Sequence, residues 1–119
     1  MKLYGVYQAD GGLVGELTYM VGKLMGTRHC ALCDITHGAL TEKKEFQDCK
    51  NQLPIPIHNL HLNEQPAALK KFTKNHTPCV VLENDGNFIM AMTAAELEAC
   101  KGQVVIFQDK ITQFLQRQA

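Results

Sequence analysis

The chain has 119 residues, 45% of them hydrophobic and 20% charged. That fits one globular domain able to bury roughly two-thirds of the surface its unfolded form exposes. Lys plus Arg equals Asp plus Glu, 12 against 12; this balance argues against a nucleic-acid surface, which needs a basic excess, and it favours self-association.

Residues 3–8 are rich in β-formers and predict a strand. Asp10-Gly11-Gly12 ends it. Leu13, Leu17, Met20, Val21 and Leu24 then recur at helical spacing, with Gly26 as a stop. A Cys/His cluster occupies 27–40. A short polar helix over 41–50 carries Phe46 and Cys49 on one side. Pro54 and Pro56 mark an edge, so a strand over 57–62 begins after them. Asn63-Glu64-Gln65-Pro66 opens a helix whose buried side is Leu69 and Phe72. Residues 79–82 read as a buried strand, Asn84-Asp85-Gly86-Asn87 as a hairpin turn, and 88–92 as the returning strand. Thr93-Ala94-Ala95-Glu96 is a capping box for a helix that stops at Gly102. A terminal helix over 104–115 fits the apolar spacing better than a strand.

Two parallel βα units, a hairpin and a final helix give an α/β class: a mixed four-stranded sheet with flanking helices and a Cys/His-containing insert, in a single domain over 1–119. This element order resembles the thioredoxin-like fold. That resemblance implies a cis-proline just before the third strand, where Thr77-Pro78 stands.

The run His29-Cys30-Ala31-Leu32-Cys33-Asp34-Ile35-Thr36-His37 concentrates thiols and imidazoles, the side chains best suited to electron exchange and transition metals. A redox dithiol made of Cys30 and Cys33 would need its first cysteine at a helix N-terminus directly after the first strand. The expected helix over 13–24 puts the pair at the wrong end of that helix, and the sequence Trp-Cys-Gly-Pro-Cys is missing. A metal site would draw on His29, Cys30, Cys33 and His37, with zinc the natural ion. Positions seven apart on one helix lie ~10.5 Å apart along the axis, however. Bonds of ~2.0–2.3 Å make it hard for Cys30 and His37 to share one ion. His58 and His61 do not form a second tight pair. Cys49, Cys79 and Cys100 read as packing residues. Asp34 and Thr36 can satisfy backbone groups in the cluster's turn.

The chain contains no Ser, so a serine nucleophile is excluded. The Gly-rich run 10–15 lacks the spacing of a P-loop or a dinucleotide fingerprint. The remaining possibility is a binding module, with the insert over 27–56 and the apolar edge Leu53-Pro54-Ile55-Pro56-Ile57 as contact elements. Such an edge suits a homodimer.

The runs 9–17 and 29–38, DGGLVGEL and HCALCDITHG at their centres, resemble a family of small bacterial proteins of unassigned biochemistry. In size and character the chain is also similar to a small Legionella inhibitor of effector enzymes that deamidate or transglutaminate ubiquitin. That likeness implies a non-catalytic, dimeric regulator with a ubiquitin deamidase or transglutaminase effector as its partner, and no catalytic residue. Thiol–disulfide exchange or metal binding at Cys30 and Cys33 is the alternative.

No apolar run approaches the ~20 residues of a membrane span, and the start Met1-Lys2-Leu3-Tyr4-Gly5 lacks the apolar region of a signal peptide. An odd number of cysteines, 5, cannot all pair. Free thiols in the cytoplasm are therefore expected, with export by a route lacking a cleavable signal also open.

Overall fold

Side-chain alternation along the first strand sets the layers. In the computed structural model, which describes residues 1–8, 30–37 and 42–118, β1 (Lys2–Val6) sends Leu3 to one face and Tyr4 and Val6 to the other. Parallel β2 (Ile57–Leu60) lies on one side of β1, and antiparallel β3 (Cys79–Asn84) on the other. β4 (Asn87–Met92) pairs antiparallel with β3, which gives the order β2-β1-β3-β4. The expected mixed four-stranded sheet with flanking helices is thus present. β2 is an edge strand and begins directly after Pro56, as the prolines require.

Among the described residues five helices flank the sheet: α1 (Ala31–Thr36), α2 (Lys44–Gln52), α3 (Ala67–Thr73), α4 (Ala94–Ala99) and α5 (Val104–Gln118). A 3₁₀ turn, Leu62–Glu64, precedes α3. The larger core joins Leu3 and Leu82 of the sheet to Leu32, Ile35, Phe46, Leu97, Phe107 and Ile111 of the helices. The Phe46 and Phe107 rings meet there at 5.9 Å between centroids. A smaller core on the opposite face packs Leu69 of α3 against Val6, Cys79 and Val81.

Local signals hold at several junctions. Asp85 and Gly86 take φ of 51° and 83°, the left-handed pair that a two-residue hairpin needs. Thr93 and Glu96 close the capping box in both directions, and Gly102 ends the following turn at φ 73°. The Thr77-Pro78 bond is cis. The helix expected over 13–24 and the Gly-rich run 10–15 lie outside the described residues. Among the described residues no helix is long and apolar enough to cross a membrane.

Candidate dithiol site

Cys30 is the N-cap of α1, with extended backbone (φ −142°, ψ 110°). An N-cap side chain satisfies one of the orphan amides of the first turn. Here the acceptor is sulfur: the Cys33 N–H donates to Cys30 Sγ at 3.4 Å. A second amide arrives from far along the chain, since the Gln8 N–H donates to the same sulfur at 3.5 Å. Tyr7 N–H still belongs to the sheet and bonds Leu60 O at 2.9 Å. Gln8 is the next residue, and its amide turns to the thiol instead.

Cys30 opens a helix of its own, and its sulfur accepts the amide of Gln8, two residues past the end of β1. Residues 8 and 30 therefore meet in space, a contact the sequence spacing does not predict. The helix expected over 13–24, on which the unfavourable placement of the pair rested, lies outside the described residues.

The same corner includes the proline loop. Extending the antiparallel register past its last pair, Val6 with Cys79, sets Tyr7 beside Pro78 and Gln8 beside Thr77. The side chains agree, because Thr77 Oγ1 donates to Gln8 Oε1 at 2.6 Å. Gln8 thus links Thr77 to the sulfur of Cys30, its side chain at one end and its amide at the other.

The Cys30 thiol is lowered from an ordinary 9.0 to about 7. The largest cause is a hydrogen bond from the Cys33 side chain; burial opposes it, and the amides of Gln8, Cys33 and Leu32 add to it. A six-residue helix contributes little through its dipole, so direct hydrogen bonds carry the effect. Cys30 is only 1% exposed, whereas Cys33 is partly exposed. Cys33 is the sulfur a visitor meets first, and Cys30 is the one held ready as thiolate. The other cysteines behave oppositely. Burial pushes Cys49 up to about 11, Cys79 up to about 12 and Cys100 upward, so these remain protonated packing thiols.

A polar chain lies beside the pair. The Tyr7 hydroxyl and Thr36 Oγ1 are 3.1 Å apart, and Thr36 Oγ1 lies 2.6 Å from His37 Nδ1. Burial raises the Tyr7 phenol, which keeps it protonated and able to donate. Thr36 therefore serves a side-chain network rather than only its own turn. The Tyr7 ring also packs against His37 (5.9 Å between centroids) and His61 (5.1 Å), and His61 Nδ1 lies 2.7 Å from Glu64 Oε1.

Of the four metal candidates, Cys30 and Cys33 come together. His37 engages Thr36, and His29 lies outside the described residues. Among the described residues no three His, Cys, Asp or Glu side chains converge on a point that could hold an ion. No family model, curated protein or solved structure matches the chain.

Tyr7, Gln8 and Thr77 form part of this corner without any mark in the sequence as site residues, although the cis-proline expectation points near Thr77. Thr36 lies within the Cys/His run, where its expected role is only to satisfy backbone groups. The contacts of Gln8 join residues 22 and 69 positions apart, beyond the reach of local patterns.

Proposed function

We propose that this protein exchanges thiols and disulfides, with Cys30 as nucleophile and Cys33 as resolving thiol. The observation that carries this is the seat of Cys30 Sγ. It caps a helix beside the end of β1, accepts amides from Gln8 and Cys33, and is lowered to about 7. A thiol near the ambient pH is well matched to attack, since thiolate fraction and nucleophilicity are both substantial. The strand order β2-β1-β3-β4 is consistent with the thioredoxin-like element order, and the exchange chemistry itself rests on the seat of the sulfur.

In the forward direction Cys30 thiolate attacks one sulfur of a substrate disulfide. An S–S bond forms to Cys30, the substrate S–S bond breaks, and the leaving thiolate takes a proton. Cys33, deprotonated, then attacks Cys30 Sγ. The second substrate thiolate departs, and a Cys30–Cys33 disulfide remains. Two electrons have passed from the protein dithiol to the substrate, and an external dithiol restores the starting state. At 1% exposure Cys30 is reached only after local opening at the cap, which favours a disulfide carried on a slender, extended segment.

Zinc is the less favoured occupant. A closed structural site needs four ligands. Among the described residues no third ligand side chain converges with the two sulfurs.

The test is a mixed-disulfide trap. Cys33→Ser, mixed with a peptide disulfide, should accumulate a covalent adduct on Cys30 visible by mass spectrometry. Cys30→Ser should accumulate none. Failure of Cys33→Ser to trap, with its fold intact by circular dichroism, would return the non-catalytic binding role to first place.

A further inference from the structure

A groove of about 680 Å³ is lined by the 3₁₀ turn, α3 and the segment that follows it as far as Thr77. Its floor is tied together locally: the Gln65 side-chain amide donates to Leu62 O at 3.0 Å, and the buried Thr73 hydroxyl donates to Gln65 Oε1. Leu62 and Ala67 give it an apolar bed, and Lys70, Lys71 and Lys74 line it with charge. All three lysines are exposed. Three cations near the end of α3 suit the helix dipole, and that alone is a structural reason for them. It does not account for the lack of counter-charge. In a chain whose charges balance overall, residues 66–78 contain these three lysines and no acid. Among the described residues no carboxylate pairs with any of the three, whereas Lys2 and Lys50 each have one. Like charges this close repel, and an incoming anionic segment relieves the repulsion.

The position of the groove supplies the second observation. Thr77 lines it, and Thr77 also donates to Gln8, whose amide holds Cys30 Sγ. One residue that lines the basic groove is therefore two hydrogen bonds from the Cys30 sulfur.

We infer that the groove between the 3₁₀ turn and the end of α3 binds an acidic, extended peptide segment and presents its neighbouring disulfide to Cys30. The first half, acidic-peptide binding, stands on the groove alone. The second half rests on the exchange chemistry proposed above. Carboxylates of the segment face Lys70, Lys71 and Lys74, while its apolar side chains lie on Leu62 and Ala67. Specificity comes from charge, so it weakens with salt.

The experiment uses fluorescent peptides without cysteine, one alternating Glu with Leu and one alternating Lys with Leu, titrated with the full chain and read by anisotropy. The acidic peptide should bind and the basic one should not. Binding should weaken about tenfold or more in K70E/K71E/K74E and between low and high salt, as expected for exposed charges. The neutralised variant K70Q/K71Q/K74Q should fall between, and circular dichroism checks the fold of each. Equal binding of both peptides, or full binding by the charge-reversed variant, overturns the groove assignment. Cys30→Ser should bind the acidic peptide as the wild type does, which separates the two proposals. Acidic binding without exchange on any disulfide would remove the chemistry and leave the groove. Exchange with a small neutral disulfide in the wild type, without acidic binding, would remove the groove and leave the chemistry. A final arm compares one disulfide flanked by glutamates or by lysines. The wild type should reduce the acidic version faster, and the ratio should fall toward one in K70E/K71E/K74E; an unchanged ratio there rejects the presentation step.

Discussion

The sulfur of Cys30 shows how one atom acquires a role from its neighbours. A thiol is a poor acceptor when neutral and a good one when ionised, so each amide aimed at it favours the thiolate. The largest share comes from the Cys33 side chain. Replacing Cys33 by Ala removes that donor and leaves the amides of Gln8 and Cys33's backbone in place. The pH midpoint of Cys30 alkylation should therefore lie near 7 in the wild type and move upward in Cys33→Ala. Iodoacetamide kinetics followed by mass spectrometry checks this, and an unmoved midpoint would show that the amides dominate. A second residue-scale prediction concerns Tyr7. Tyr7→Phe keeps the ring against His37 and His61 but leaves buried Thr36 without its 3.1 Å partner. The cost should be about 1–2 kcal/mol in urea unfolding, the range for a lost buried hydrogen bond. The cysteine pair was legible as chemistry because thiols are scarce and their spacing is local. Gln8 and Thr77 were not, since a glutamine after a strand and a threonine before a proline carry no signal until the sheet brings them together.

At the scale of elements, the corner depends on how closely α1 approaches the sheet. Gly5, in the middle of β1, lies where the sheet faces Leu32 of α1. A Cβ built there would lie 2.5 Å from Asn59 Oδ1 and 3.3 Å from Leu32 Cδ2 of α1. The first neighbour is the end of a side chain and the second anchors the helix that holds Cys30. Gly5→Ala should thus cost about 1–3 kcal/mol, as overpacking does, and should push α1 away from β1. Thermal unfolding measures the cost, and a raised Cys30 alkylation midpoint reports loss of the Gln8 contact. Unchanged stability would mean that Asn59 swings aside freely. Most elements were readable because their signals are local: the Asp85-Gly86 turn, the Thr93 cap, and the prolines that hold β2 to an edge. The helix at Ala31–Thr36 was hidden by its brevity. Its apolar residues Leu32 and Ile35 are too few to show a period, and its cap is a cysteine rather than the usual Ser, Thr, Asp or Asn.

Across the whole molecule Cys30 stands opposed to Cys49, Cys79 and Cys100, and that opposition governs how their ionisation couples stability to pH. Cys30 has a folded value near 7, below its ordinary 9.0. Between those values the unfolded chain binds the extra proton, so stability rises with pH; the gain is complete above 9.0 and lost as pH falls through 7. Two units correspond to at most about 2–3 kcal/mol. Cys49, Cys79 and Cys100 are raised by burial, so above 9 the unfolded chain ionises thiols that the folded one keeps protonated. Stability then falls as pH rises. The reduced protein should therefore show a maximum near the ordinary thiol value, a higher pH than the window of about 5 to 8 usual for proteins. Urea unfolding under a reducing agent, from below 7 to above 9, tests it. Cys30→Ala should flatten the rising limb while leaving the falling one, because the packing thiols are untouched. A rising limb that survives in Cys30→Ala would assign the proton to another group and remove the thermodynamic support for a thiolate at the cap of α1.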